Sequence, residues 1–480
     1  MNKLIKNIAL LLCISVFISS CETIDYDDTN QNPNGPTSPV TSQLFTSALT
    51  WVPVITIDEV SILYMQHITQ GQYPGSSRYE TLTSSYDGWY TGPIMNLNEV
   101  IKINEGPDAG AALTYGATEN QLASAKILRA YYLQYMTDSW GYLPWSEAFQ
   151  GVANSRVAFD SQETLYNYMF AEVDAALAMI SNAAGPTGDF MFGGDMDKWA
   201  ALGNNLKATM ALRISDVNPS LAKTKFEQAA ASGMLILDNA DNLEYNYGTD
   251  ATSNSPWYDN FETREDYILS VTMVENLRSN LDPRLFEMAE EARDSVHPSP
   301  NFPGGIDAGY VGAPNGAVNG NVPDYSFITS DIIYEHDFPS PIYTAAQMRF
   351  ALSEAALKGW TVTGDAATHY AAGIQASMDY WGVDPADATA YIAAHPYTGI
   401  ADIAYEKWVA LYLNGPEAWA EWRRLDAPYL PPSPFAAVQE IPKRDAYDPS
   451  VEDNNAANYA AMVAAQGPDN IYTKLWWDVN

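Results

Sequence analysis

Two irregular segments of the chain combine aromatic and polar side chains among glycine, proline and serine. Aromatic faces stack on the C–H groups of sugar rings, and amide or guanidinium groups bond to hydroxyls, so this mixture suits a polyhydroxylated ligand. Each ring could instead anchor its own loop as a half-buried side chain. The segments are GQYPGSSRYE and SNSPWYDNF, and two tyrosines flank a later Gly/Asn-rich stretch; the candidate ligand-binding residues are Tyr73, Arg78, Tyr79, Asn254, Trp257, Tyr258, Tyr310 and Tyr325.

Motifs for catalysis are missing from the sequence. There is no GxSxG nucleophile elbow, P-loop, HExxH or GxGxxG ahead of a helix, and the five histidines show no metal-ligand spacing. A glycosidase needs only two carboxylates, which the 59 acidic residues do not exclude by composition. The sequence therefore predicts a protein that is not an enzyme, with no catalytic residues, no metal site and no cofactor.

The N-terminus has the form of a secretory signal. Two lysines precede an apolar run of about 11 residues, which is too short to span a bilayer as a helix. Ser19 and Ser20 then lie directly before Cys21, as in the bacterial lipoprotein box, where the thiol is lipidated and the chain is cut before it. We expect a signal peptide at 1–20, and a lipidated Cys21 with a flexible tether at 21–39. An ordinary secretory signal with an incidental cysteine is the alternative.

Composition limits the partners of the chain. Without residues 1–20, Cys21 is the only cysteine, which excludes disulfides and a cysteine-based zinc site. The net charge moves from -35 to -37 when Lys3 and Lys6 are lost. Such an acidic surface repels nucleic acid and anionic headgroups. We therefore expect no nucleic-acid partner, and attachment to a membrane through the lipid alone.

Helical periodicity organises most of the rest. Helical patterns fill the scaffold from about 40 to 232 and return from about 344 to 425. Paired helices of about 12–24 residues with short connections are typical of a tetratricopeptide-like stack, although the strict repeat signature is missing. The stretch from about 235 to 340 is rich in Gly, Pro, Asn and Tyr and predicts loops, and so does the segment from Pro428 onward. One domain is expected over 40–480.

Tryptophans and arginines inside the helical blocks are predicted to be structural. Trp419 and Trp422 share one helical face, which favours packing between helices, and Trp145 follows a helix end. The arginines are few in a very acidic chain and are expected to form ion pairs inside the scaffold; they are Arg284, Arg423 and Arg424.

Eight sequence blocks in a fixed order, together with the lipoprotein-type N-terminus, resemble the SusD/RagB family in its SusD-like branch. These are outer-membrane nutrient-binding lipoproteins of Bacteroidetes. The blocks are NPNGP, AKILRAYYLQYMTDSWGYLPWSEA, GGDMDKWAALGNNLKATMALRIS, LDPRL, SEAALKG, YAAGIQASMDYWGV, EKWVALYLNGPEAWAEWRRLDAP and KLWWD.

The resemblance implies both a fold and a function. The fold would be mostly α, with a tetratricopeptide-like helix-pair scaffold and a large irregular, loop-rich ligand-binding face. The protein would be a cell-surface lipoprotein of the outer membrane that binds a nutrient oligosaccharide and delivers it to a SusC-like TonB-dependent transporter. In the family, loops near the candidate residues bind the ligand, with side chains that vary with the glycan. A peptide ligand, or a scaffold lipoprotein with no small ligand of its own, remains as an alternative.

The acidic cluster after Cys21 resembles the surface-export signal of Bacteroidetes lipoproteins, and a solvated tail explains it equally well.

Overall fold

Side-chain caps set the start of several scaffold helices. The computed structural model describes residues 39–80, 82–293, 309–319 and 321–480. Ser161 Oγ accepts a hydrogen bond from the Thr164 amide at 3.2 Å, and Asp195 Oδ1 accepts one from the Asp197 amide at 2.9 Å. These bonds satisfy amides that a helix leaves unpaired in its first turn, so Ser161 and Asp195 fix where the two helices begin.

The helices and strands have the following bounds. The helices are α1 Thr41–Leu49, α2 Val52–Thr56, α3 Glu59–Tyr64, α4 Asp87–Trp89, α5 Met95–Glu105, α6 Ala109–Ala112, α7 Thr118–Trp140, α8 Gln162–Met179, α9 Met196–Arg213, α10 Pro219–Ala231, α11 Pro256–Glu262, α12 Val271–Ser279, α13 Arg284–Met288, α14 Ser330–Ile333, α15 Ala345–Leu357, α16 Ala366–Trp381, α17 Pro385–Ala394, α18 Ile400–Ala410, α19 Gly415–Leu425 and α20 Pro449–Gln466. A π-helical turn, Tyr90–Ile94, joins α4 to α5. The strands are β1 Ile68–Gln70, β2 Thr83–Ser84, β3 Leu243–Tyr245, β4 Tyr267–Leu269, β5 Ser340–Tyr343 and β6 Ala446–Tyr447.

Consecutive helices pack in pairs to form the scaffold. The pairs are α7 with α8, α9 with α10, α15 with α16, and α18 with α19. The strands form three two-stranded sheets, with β1 antiparallel to β4, β2 parallel to β6, and β3 antiparallel to β5. Residues Thr41–Asn480 make one compact unit. The predicted fold class, mostly α with a tetratricopeptide-like helix-pair scaffold, is confirmed.

Buried ion pairs tie the last helix pair to the rest of the scaffold. Arg424 donates from Nη1 to Glu354 Oε1 and from Nη2 to Glu421 Oε2, both at 2.6 Å. Arg284 lies between Asp282 and Glu406 with negligible exposure. The predicted internal pairing is confirmed for these two arginines. Arg423 differs, because its guanidinium lies 3.8 Å from the Trp419 ring centroid and donates to backbone carbonyls.

The predicted packing role of the tryptophans agrees with their burial. Trp145, Trp419 and Trp422 are all buried, and the indole N–H groups of Trp419 and Trp422 donate to the carbonyls of Pro442 and Pro428. A buried indole with its N–H satisfied contributes to the core without an unpaired donor.

The regions predicted to be irregular contain more regular structure than expected. The stretch from about 235 to 340 holds α11 to α14 and parts of two sheets. The C-terminal segment holds α20, whose helix turns bury only Val451 and Met462. Since α20 has almost no apolar face, periodicity could not reveal it. Helix α3 ends at Tyr64, and the residues that follow form β1, which pairs with β4 about two hundred residues away.

The N-terminal predictions lie outside the described residues. They are the signal peptide at 1–20, the lipidated Cys21 and nearly all of the tether. The stretch Thr41–Tyr64 is long and apolar enough by composition to cross a membrane. It forms three short helices, α1 to α3, each well below the roughly 20 residues of a spanning helix, and their apolar side chains enter the core.

Candidate functional site

Three irregular segments meet at one edge of the β1–β4 sheet. The Gly71 amide donates to the Asp266 carbonyl at 2.7 Å, and the Asn319 amide donates to the Gly71 carbonyl at 2.8 Å. A Cβ on Gly71 would lie 2.4 Å from Val322 Cγ1, so this close approach requires glycine. The backbone therefore fixes the loop after β1 against the segment before β4 and against the described residues 309–319.

Tyr73 lies at the exposed end of this junction. Its side chain is 64% exposed, and the guanidinium carbon of Arg264 lies 5.0 Å from the ring centroid. Arg264 Nη2 also pairs with Asp266 Oδ2 at 2.6 Å, which holds the guanidinium over the ring. We call these three residues the Tyr73 site.

A polar groove of about 470 Å³ adjoins the Tyr73 site through Arg264. Its lining mixes carboxylates and amide or guanidinium groups, and includes Gln72, Glu262, Glu265 and Asp266. The volume lies within the range of about 300–1,000 Å³ that small-molecule sites occupy. An exposed ring beside fixed donors and acceptors can hold a sugar by stacking and by hydroxyl hydrogen bonds.

Arg78 is half-buried on the other side of the same loop. Its Nε donates to the Gly316 carbonyl at 2.7 Å, and its guanidinium carbon lies 5.6 Å from the Phe435 ring centroid. The structure thus brings Arg78 close to two further segments, and part of its side chain reaches solvent.

Tyr79 packs as a loop anchor in this structure, which is the alternative role stated for each candidate ring. It is 2% exposed, its phenol oxygen accepts a hydrogen bond from the Ser433 amide at 3.0 Å, and its ring meets Tyr64 edge-on. Burial raises the pKa of the Tyr79 phenol to about 12. A ring enclosed in this way has no face for a ligand.

The segment SNSPWYDNF is the start of a helix and not a loop. Pro256 begins α11, and Trp257 is 4% exposed with its ring edge-on to Tyr267 at 6.1 Å. Asn254 is also buried and donates to Asp259 Oδ1 at 2.8 Å. Asn254 and Trp257 therefore make packing contacts in this structure. Tyr258 is half-buried and stacks on His336 at 3.8 Å.

The two remaining candidates, Tyr310 and Tyr325, pack in or against the apolar cluster around β4. Tyr310 is buried with its ring edge-on to Phe286 at 5.3 Å, and burial raises the pKa of its phenol to about 12. Tyr325 is half-buried and packs on the apolar cluster around β4. The structure gathers Tyr73, Arg78 and their neighbours at one junction and gives most of the other candidates packing roles.

Sequence reasoning missed Arg264, Asp266 and Gln72, although the charged run TRED between α11 and β4 was a usable signal. It also missed two exposed rings in the proline-rich segment after α19. They are Tyr429, 82% exposed, and Phe435, which is half-exposed beside Arg78.

Among the residues that the structure describes, no group of three or more His, Cys, Asp or Glu side chains is close enough to hold a metal ion. The Tyr73 site offers recognition groups, namely a ring face, a guanidinium and a carboxylate.

Solved structures share this fold over nearly the whole chain. One described as a chitin-binding protein is 25% identical with a TM-score of 0.77, covering 92% of this chain and 100% of that one. A chitin-binding SusD homologue from Flavobacterium johnsoniae is 24% identical with a TM-score of 0.74, covering 92% and 99%. A SusD homologue from Bacteroides fragilis NCTC 9343 is 20% identical with a TM-score of 0.77, covering 91% and 99%.

Among curated proteins, no significant match to the chain is found. The family model SusD-like_2, described as starch-binding associating with outer membrane, matches residues 33–448. That match covers most of the sequence and includes all eight candidate ligand-binding residues. The predicted resemblance is thereby confirmed, and the chain belongs to the SusD-like family.

Proposed function

We propose that this protein is an outer-membrane, surface-facing lipoprotein that binds a neutral oligosaccharide and delivers it to a TonB-dependent transporter. The observation that carries the proposal is the Tyr73 site, where an exposed ring lies under Arg264 beside a polar groove. The starch-binding description of the family and the chitin-binding description of two structural relatives support a glycan as the ligand.

The charge of the molecule supports a neutral glycan over an acidic one. The chain carries a net charge of -35, and Glu262, Glu265 and Asp266 line the groove. Uronate or sulfate groups would enter a negative field there, which lowers both association rate and affinity. Hydroxyl groups carry no such penalty and can donate to the same carboxylates.

The eight candidate ligand-binding residues form two groups, one partly exposed and one buried. Tyr73, Arg78, Tyr258 and Tyr325 keep part of their surface accessible and are proposed as ligand contacts. The four buried candidates are proposed to hold the loops that present those contacts; they are Tyr79, Asn254, Trp257 and Tyr310.

A screen of the protein beginning at Glu22 tests glycan binding. Affinity gels that contain soluble starch, glycol chitin or polygalacturonate compare two neutral polymers with an anionic one. Retardation by a neutral polymer and none by polygalacturonate is expected. Retardation by polygalacturonate alone would contradict the neutral ligand, and retardation by none would favour a peptide-binding or scaffold role.

Delivery requires a partner. A tethered binding protein that also covers a channel keeps released ligand at high local concentration beside the pore. A lasting complex of this kind buries more than about 2,000 Å². Co-purification of the tagged lipoprotein from outer membranes in mild detergent should recover the transporter. Recovery of monomer alone, with the transporter expressed, would rule out delivery even if glycan binding is found.

A further inference from the structure

A second groove, of about 490 Å³, lies between the α4–α5 junction, the loop after Pro144 and the start of α20. It shares no lining residue with the groove beside Arg264. We call it the Phe149 groove. Its volume lies within the range of about 300–1,000 Å³ that small-molecule sites occupy. Three separate segments form its walls, so the groove exists without a ligand.

Two nearly parallel rings form one wall of the Phe149 groove. Tyr90 and Phe149 have ring centroids 5.7 Å apart at an interplanar angle of 25°. The Tyr90 hydroxyl donates to the Pro144 carbonyl at 2.6 Å, and this bond holds the Tyr90 ring in place. Trp145 meets both rings edge-on, at 6.3 and 5.8 Å. The contacts with Pro144 and Trp145 therefore hold the wall formed by Tyr90 and Phe149 in place.

Phe149 is held in an unusual conformation while part of its ring stays exposed. Its φ is +64°, a left-handed value that a bulky residue adopts at a cost, and its side chain is 37% exposed. Met95 on the same wall is 45% exposed. Folding alone gains little from a strained backbone that presents an aromatic side chain to water, so a ligand for that face explains it better.

The rim of the groove is polar. Asp87, Ser155 and Asn454 line it, and Asp87 and Asn454 are exposed. The neighbouring Asn455 interrupts the helical geometry of α20 and donates from Nδ2 to the Val157 carbonyl at 2.7 Å. This bond fastens the loop to α20 and keeps the polar rim next to the aromatic wall. Flat rings with carboxylate, hydroxyl and amide groups around them match a pyranose, whose faces are apolar and whose edges carry hydroxyls.

From this arrangement we infer that the Phe149 groove is a second carbohydrate site, in which a neutral sugar stacks on Phe149 and bonds to Asp87 and Asn454. The inference extends the proposed function, since it keeps the ligand class and adds a separate place to bind it. Two sites on one chain let a long glycan be held at two points, which raises its overall affinity by the effective concentration of the second contact.

Isothermal titration with N-acetylchitohexaose and maltohexaose tests the second site. The variants are Phe149→Ala, Asn454→Ala and Tyr73→Ala, and Leu113→Ala serves as control because Leu113 is exposed and lines neither groove. Phe149→Ala should weaken binding of at least one probe fivefold or more, Asn454→Ala should weaken it less, and Leu113→Ala should leave it unchanged. Tyr73→Ala should keep residual binding that disappears in the Tyr73→Ala, Phe149→Ala double variant.

Asn454 is exposed, so its variant reports on the groove even if Phe149→Ala folds poorly, and circular dichroism checks both. Unchanged affinity in folded Phe149→Ala and Asn454→Ala would overturn the second site. Complete loss of binding in Tyr73→Ala alone would also overturn it while supporting the proposed function. Binding that survives Tyr73→Ala unchanged but is lost in Phe149→Ala would support the second site and contradict the Tyr73 site. No binding of either probe to the unaltered protein would overturn both.

Discussion

The guanidinium of Arg264 lies over the ring of Tyr73, 5.0 Å from its centroid, although the two residues are far apart in the chain. The pairing of β1 with β4 and the bond from the Gly71 amide to the Asp266 carbonyl bring them together. Asp266 then orients the guanidinium through its own ion pair with Arg264. The candidate binding surface thus depends on one small sheet and one glycine contact.

Replacement of Trp257 by alanine should destabilise the protein. The ring is buried between α11 and β4, and removal of a buried tryptophan costs about 3–5 kcal/mol through lost burial and the cavity left behind. Urea unfolding of Trp257→Ala measures the loss, and titration with a bound glycan measures affinity. Unchanged stability with weakened binding would make Trp257 a ligand contact after all.

Removal of Arg424 should destabilise the scaffold strongly. Arg424→Ala would leave Glu354 and Glu421 buried without their main partner, a change that costs about 3–5 kcal/mol. The control is Lys102→Ala, since Lys102 forms an exposed ion pair with Glu99 that contributes little. Chemical unfolding of both variants compares them directly. Equal, small losses would show that the buried network does not hold α15 against α19.

Asp445 should make stability depend on pH. Burial, with the nearby Asp58 carboxylate as a smaller cause, raises the pKa of Asp445 from 3.8 to about 7. The folded state therefore binds a proton that the unfolded state releases, so this contribution is complete below about pH 4 and is lost as the pH rises through 7. Between pH 5 and 8 the native protein should lose about 2–3 kcal/mol relative to Asp445→Asn.

Urea unfolding at both pH values measures that difference, and Asp453→Asn is the control because Asp453 is exposed on α20. A difference between native protein and Asp445→Asn that stays constant from pH 5 to 8 would mean that Asp445 keeps an ordinary pKa in the fold.

Cysteine 21 should be the attachment to the membrane. Cys21→Ala should release a folded protein into the soluble fraction, because a single acidic domain without acyl chains has no other affinity for an anionic surface. Fractionation in a strain that lacks the transporter measures this directly. Continued sedimentation with outer membranes would contradict the lipoprotein interpretation.

Local signals explain which helices the sequence could predict. The apolar residues of α7, spaced three and four apart, and the caps Ser161 and Asp195 are local features of the sequence, and the structure places helices there. Helix α20 has no such stripe, and β1 exists only because β4 pairs with it. Elements that depend on distant partners cannot be read from periodicity.

The candidate site was predictable in location more than in detail. The loop that carries Tyr73 and Arg78 was identified from its aromatic and polar composition, and it does meet other loops. The segment around Trp257 has a loop-like composition and is predicted to be irregular, but the Ser-Pro start of α11 is a helix signal that outweighs that composition. Arg264 could not be assigned, since its partner Tyr73 is chosen by sheet pairing and not by spacing.

The central claim is that a neutral glycan binds at the Tyr73 site. Titration of the unaltered protein and of Tyr73→Ala and Tyr73→Phe with a glycan identified by the affinity gels tests it most directly. We predict a loss of about 1–3 kcal/mol for Tyr73→Ala, little change for Tyr73→Phe, and unchanged melting temperatures, because the ring is exposed. Equal affinities for the unaltered protein and Tyr73→Ala would contradict the account.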